Sequence, residues 1–192
     1  MRPAIKAALI FSSTWIVLKL LFFGIGIFQD DIFVAGLINN LFLLASIAVG
    51  LYYQKKKEGF GEGTALSDIK HSMVAGAPYA LIVSVFMFFF YNDINPGFVE
   101  NRRSERMDLI YKEMQRPSYV DSLKIQNNDF EVLTDEEIFK QIKTDTESAL
   151  SANSLLVFSL LGLIVLSLTY SIFITIIFRK ILLRDYYKPE FD

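Results

Sequence analysis

Few residues in this chain are of types that carry chemistry. Lys19 stands deep in a long apolar run, Asn39 and Asn40 sit together in the next one, "KKKEGFGEGTALSD" begins at Lys55, and His71 is the sole histidine. There is no cysteine, which excludes disulfides and thiolate metal sites. A single histidine without paired ligands reads as an interfacial residue or the neighbour of a helix cap. The glycine-rich stretch raises the question of a nucleotide loop, which needs its glycines between a strand and a helix and a lysine within reach of the phosphates. Here the stretch follows an apolar run and sets Glu58 and Glu62 beside the glycines, where carboxylates repel phosphate. The alternative is an anchor. Lys55, Lys56 and Lys57 hold a helix end at an anionic leaflet, Gly59, Gly61 and Gly63 form a flexible turn, and Ser67 or Asp68 caps the following helix.

The elements that must position these residues are membrane helices. Hydrophobic residues make up 53% of 192, with 18 Phe and 9 Tyr, and the mean hydropathy is +0.37. That balance exceeds the apolar share of an ordinary soluble domain. Four continuous apolar runs, residues 4–28, 32–53, 73–91 and 154–178, each approach or exceed the length that crosses a bilayer core. Continuity excludes barrel strands, which alternate, and the lipid requires every backbone polar group to be satisfied internally. The first run resembles a signal peptide because Arg2 and Lys6 precede it. Its length and the poor cleavage site "GIGIFQDD" mark it as a mature span. The expected class is therefore an all-α membrane protein with four transmembrane helices, forming a single membrane domain over residues 1–192.

Basic residues near the helix ends set the orientation. Arg2, Lys6, Lys55, Lys56, Lys57, Lys70, Arg179, Lys180, Arg184 and Lys188 share one side, and residues 29–31 with an acidic loop share the other. Both termini are expected in the cytoplasm, with a long polar extracytoplasmic loop, residues 92–150, between helices three and four. Arg102, Arg103 and Arg106 count against this assignment, though the long loop that holds them weakens their vote. Within the loop, "NPG" at residues 95–97 breaks helix three. Met107, Ile110, Tyr111 and Met114 recur at helical spacing between a Ser104 cap and a Pro117 stop, predicting a helix over 104–116. "SLKIQNNDFEVL" alternates weakly, as a small hairpin does. Thr134 and Glu137 form a capping-box pattern, and a continuous last helix is expected over residues 135–184, extending beyond the membrane.

"YYQKKKEGFGEGTALSDIKHSMVAGAPYALIV", with "YNDINPGF" after the third run, resembles an uncharacterised bacterial domain-of-unknown-function family of small four-helix inner-membrane proteins. The resemblance implies the topology and the bacterial inner (cytoplasmic) membrane. It carries over no catalytic residue and no cofactor.

No enzyme is expected. The apolar runs contain no Asp, Glu, Cys or His, and Asp135, Glu136, Glu137, Asp145 and Glu147 are spread as on a solvated helix face. Three sets of residues are candidates for other roles. Lys19, Asn39 and Asn40 form an intramembrane polar site, since a buried lysine must turn from lipid toward partners. Gly76, Ala80 and Ser84 pair with Thr175, Ser171 and Ser167 as a helix-packing face. Met107, Ile110, Tyr111 and Met114 form a face that covers the last helix near Ile138 and Ile142, or meets a partner, or lies on lipid. The expected function is a non-enzymatic membrane accessory or scaffold protein that docks a partner through its extracytoplasmic loop. The alternative is an oligomeric small-solute transporter or channel subunit using Lys19, Asn39 and Asn40. Expected partners are the lipid bilayer and other membrane or periplasmic proteins; a net charge of −2 gives no reason for nucleic acid.

Overall fold

The computed structural model describes residues 1–27 and 32–186. The expected link at residues 29–31, the end of the first span at Phe28, and Lys188 lie outside the described residues. Among the described residues, seven α-helices run in the order α1 (Pro3–Gly24), α2 (Ile32–Glu58), α3 (Ala65–Phe89), α4 (Pro96–Met114), α5 (Pro117–Gln126), α6 (Asp135–Ala149) and α7 (Ala152–Ile177). α1, α2, α3 and α7 supply four helices long and apolar enough to cross a membrane, which makes the chain a multi-pass membrane protein in contact with the lipid bilayer.

Local chemistry explains where these helices start and stop. Pro3 opens α1, where its missing N–H costs nothing. α2 runs past Tyr53 to Glu58, with Lys55, Lys56 and Lys57 in its last turn, where cations complement the helix dipole. The cap of α3 is Thr64, whose hydroxyl accepts the Ser67 N–H at 3.2 Å. Neither Ser67 nor Asp68 serves as the cap; the Asp68 carboxylate is paired elsewhere, with Lys55 and Arg179. α3 and α7 each continue into a single wide π turn, Phe90–Ile94 and Phe178–Leu182 respectively.

The described chain divides into two compact units. The first comprises Met1–Phe86 and Phe158–Asp192 and contains the apolar helices. Its interior is built on small side chains, because helices in lipid gain their packing from close backbone approach. A Cβ on Gly50 of α2 would lie 2.7 Å from Ala75 Cβ of α3 and 3.3 Å from Ala4 Cα of α1. Larger groups fill the next layer, where buried Trp15 meets Phe86 edge-on at 5.8 Å.

The packing of α3 on α7 uses the expected residues in a different register. A Cβ on Gly76 would fall 1.7 Å from Ser167 Oγ, and Ser167 donates to Met73 Sδ at 3.6 Å. Ser167 thus faces Gly76 rather than Ser84, about two turns nearer the basic end. Carried along the antiparallel pair, this register brings Ser171 level with Ser72 in place of Ala80, and Thr175 level with Asp68 in place of Gly76. Ser72, Ser84, Ser167, Ser171 and Thr175 are all buried. The expected pairing fails because it set Met73 level with Phe178, whereas α3 begins well before Met73, at Ala65, and it is Ala65 that the observed register brings level with Phe178.

The second unit is Met87–Val157. α4 begins at Pro96, and Ser104 lies inside it rather than at its cap. α5 and a 3-10 turn at Asn128–Phe130 replace the expected hairpin, since Pro117 at the first helical position nucleates a helix that weak alternation cannot oppose. The capping box forms as expected: Thr134 N–H donates to Glu137 at 2.8 Å and Glu137 N–H to Thr134 Oγ1 at 3.4 Å. These contacts, the Thr134 backbone N–H foremost, hold the Glu137 carboxyl below the usual glutamate range. The expected continuous helix over 135–184 is broken between Ala149 and Ala152. Ser151 takes the Ser154 N–H at 3.2 Å as an N-cap does, and Ser154 Oγ donates to the Ser148 carbonyl at 2.7 Å.

Two measurements check this architecture. On a background free of native cysteine, Met73→Cys with Ser167→Cys is expected to crosslink under mild oxidation faster than Ala80→Cys with Ser171→Cys; the reverse order would restore the unshifted register. Ile138 is fully buried, so Ile138→Ala is expected to cost about 2 to 5 kcal/mol. Hydrogen exchange should report that loss in α4 and α6, with protection of α1 to α3 unchanged.

Candidate functional site

The functional side chains of the first unit gather at the basic end of the bundle. The last turn of α2 carries Lys55, the first turn of α3 carries Asp68, and the π turn after α7 carries Arg179. Lys55 Nζ lies 2.7 Å from Asp68 Oδ1, and Arg179 Nε lies 3.4 Å from Asp68 Oδ2. Lys55 and Asp68 are each only 1% exposed. The intervening loop completes the cluster through its backbone. Lys55 Nζ donates to the Glu62 carbonyl, and Arg179 Nη2 donates to the Gly63 carbonyl at 2.7 Å. Turning these carbonyls inward requires left-handed backbone at Gly59 (φ 113°) and Gly63 (φ 81°), which glycine adopts without strain. Phe60 pins the loop from outside, 5.8 Å from Tyr52 and 5.3 Å from Tyr186 between ring centroids.

Sequence reasoning assigned these residues differently. Lys55 is not an anchor on the leaflet, Asp68 is not a cap, and the glycine turn has a defined shape set by the carbonyls it delivers. A signal was available. Asp68 shares a helical stripe with Ser72, Ala75, Gly76, Tyr79 and Val83, all buried, and Lys55 continues the buried stripe Leu43, Ile47, Leu51. A charge on a buried stripe demands a buried partner.

Lys19 is buried, 7% exposed, and faces the bundle interior rather than lipid. A cavity of about 10 Å³ lies beside it, walled by Trp15, Leu18, Phe22, Ala35 and Ile38. Asn39 and Asn40 are not among those walls. Asn39 instead accepts from Tyr79 of α3, whose hydroxyl lies 2.7 Å from its Oδ1 and 3.2 Å from its backbone carbonyl. The asparagine thus joins α2 to α3, a role that needs Tyr79, which sequence reasoning missed.

The remaining candidates find local partners. His71 Nδ1 lies 3.4 Å from Glu58 Oε2. The face of Met107, Ile110, Tyr111 and Met114 is turned onto α6: Ile110 is 3% exposed, and the Tyr111 ring meets Phe139 edge-on at 6.1 Å. Ile110 is core, so it is not part of a free partner surface. Among the described residues, no group of three or more His, Cys, Asp or Glu converges to hold a metal.

Four apolar helices, three of them joined at one end by a buried charge cluster, define a multi-pass membrane protein. The chain belongs to the family described as "Protein of unknown function (DUF4199)", whose family model matches residues 6–180. Comparison with curated proteins and with solved structures found no match.

The cluster makes a prediction about stability. Asp68→Asn leaves two cations facing each other without a carboxylate, and is expected to cost about 3 to 5 kcal/mol in thermal unfolding in detergent. Replacing Lys55 with Met and Asp68 with Leu together is expected to cost less than Asp68→Asn alone.

Proposed function

We propose that this chain is a non-enzymatic accessory or scaffold protein of the bacterial inner membrane, with both termini cytoplasmic, that docks a partner through the helical segment between its third and fourth spans. The observation that carries this reading is the exposure of large apolar side chains on the non-spanning unit. Ile125 and Val132, which flank the Asn128–Phe130 turn, are 82% and 86% exposed, although Ile110, Val120 and Ile138 give the same unit a buried core. A folded polar unit that leaves such side chains in water has a surface suited to an apolar partner face. The basic residues Lys55, Lys56, Lys57, Lys70, Arg179 and Lys180 support the orientation.

A second reading, an oligomeric small-solute transporter or channel subunit, draws on the burial of Lys19. The adjoining cavity of about 10 Å³ is near the lower limit for a single water, which favours the first reading. Mild-detergent affinity purification with identification of bound proteins separates the two. A heteromeric complex kept by the wild type and lost in Ile125→Asp with Val132→Asp supports docking. A homo-oligomer that conducts a solute in liposomes, and stops in Lys19→Met, supports transport instead.

A further inference from the structure

Beside the buried cluster, on another face of the same helix ends, lies a polar cleft of about 230 Å³ lined by Arg2, Gln54, Lys57, Glu58, His71 and Val74. Three helix ends form it: the N-cap residue of α1, the last turn of α2 and the first turns of α3. These are the ends of membrane-spanning segments, so the cleft lies at the depth where lipid phosphates reside.

Its charges are unevenly matched. Glu58 is the single carboxylate, and it is engaged within the cleft wall: Gln54 Nε2 donates to Oε1, and His71 Nδ1 stands 3.4 Å from Oε2. Arg2 and Lys57 make no ion pair among the described residues. Arg2 is the N-cap residue of α1, whose first turn carries the positive end of the helix dipole. An anion is the group that balances this lining, and a guanidinium and an ammonium lining one cleft favour a phosphate oxygen cluster over a compact halide.

We propose that this cleft is a phosphate-binding site, filled by the phosphate of an anionic phospholipid headgroup or by free phosphate. The three consecutive lysines of α2 then have separate tasks. Lys55 is buried against Asp68, Lys57 lines the cleft, and Lys56 is exposed and lines neither.

That division supplies the test. The full chain is placed in nanodiscs of phosphatidylcholine with or without phosphatidylglycerol, and in detergent with or without inorganic phosphate; binding is read by lipid retention in native mass spectrometry and by thermal shift. Wild type and Lys56→Gln are expected to bind alike. Lys57→Gln, and Arg2→Gln with Lys57→Gln, are expected to bind about tenfold more weakly or less, while their unfolding in pure phosphatidylcholine stays unchanged. Stabilisation by inorganic phosphate alone would identify free phosphate as the ligand, and stabilisation by phosphatidylglycerol alone would identify the headgroup. Equal losses in Lys56→Gln and Lys57→Gln would mean only diffuse attraction to an anionic surface and would overturn the site. So would a wild type that binds phosphatidylglycerol and phosphate no better than the double variant.

Discussion

Burying Asp68 between Lys55 and Arg179 is the constraint around which the basic end of the bundle is organised. A carboxylate and an ammonium taken out of water lose several kcal/mol of solvation each, and only close pairing with further hydrogen bonds offsets that loss. The chain meets the requirement with backbone as well as side chains. The 2.7 Å contact of Lys55 with Asp68 is completed by the carbonyls of Glu62 and Gly63. The glycines of the loop, the Thr64 cap that starts α3 one residue before Ala65, and the π turn that carries Arg179 each serve this one arrangement.

The cluster also helps set how the apolar helices meet. Lipid tails are as apolar as leucine, so hydrophobicity gives little reason for one helix register over another, and small residues allow several. Arg179 at Asp68 selects among them, and the selected register is the one in which Ser167 fits against Gly76. The small-residue contacts provide close packing, and the charge cluster gives them a direction. Tyr79 on Asn39 plays a comparable part deeper in the bundle, where one hydroxyl and one side-chain amide hold α2 to α3.

The two units differ in what they leave exposed. The first buries Lys55 and Asp68 against each other and turns Arg2 and Lys57 to its cleft. The second closes a small core around Ile110 and Ile138, yet leaves Ile125 and Val132 exposed. A phosphate held in the cleft would tie α1, α2 and α3 together at their common end, beside the cluster that already joins α2, α3 and α7.

Four spans follow from the sequence alone, because a run of about twenty apolar residues has no stable place except a membrane or a deep core. Thr134 with Glu137 fixes the start of α6 for a similarly local reason, since a capping box involves only residues within one turn. The hairpin, the unbroken last helix and the Ser104 cap were misread because Pro96, Pro117 and Ser151 outweigh the weaker patterns around them. The partners of Lys55, Asp68, Arg179 and Asn39 are decided only in the tertiary structure. Their contacts span up to 116 residues of chain, and no spacing rule reaches that far. Periodicity could place each of them on a buried stripe. Which stripe met which, and at what depth, depended on helix ends whose positions were themselves set by the charges they bring together.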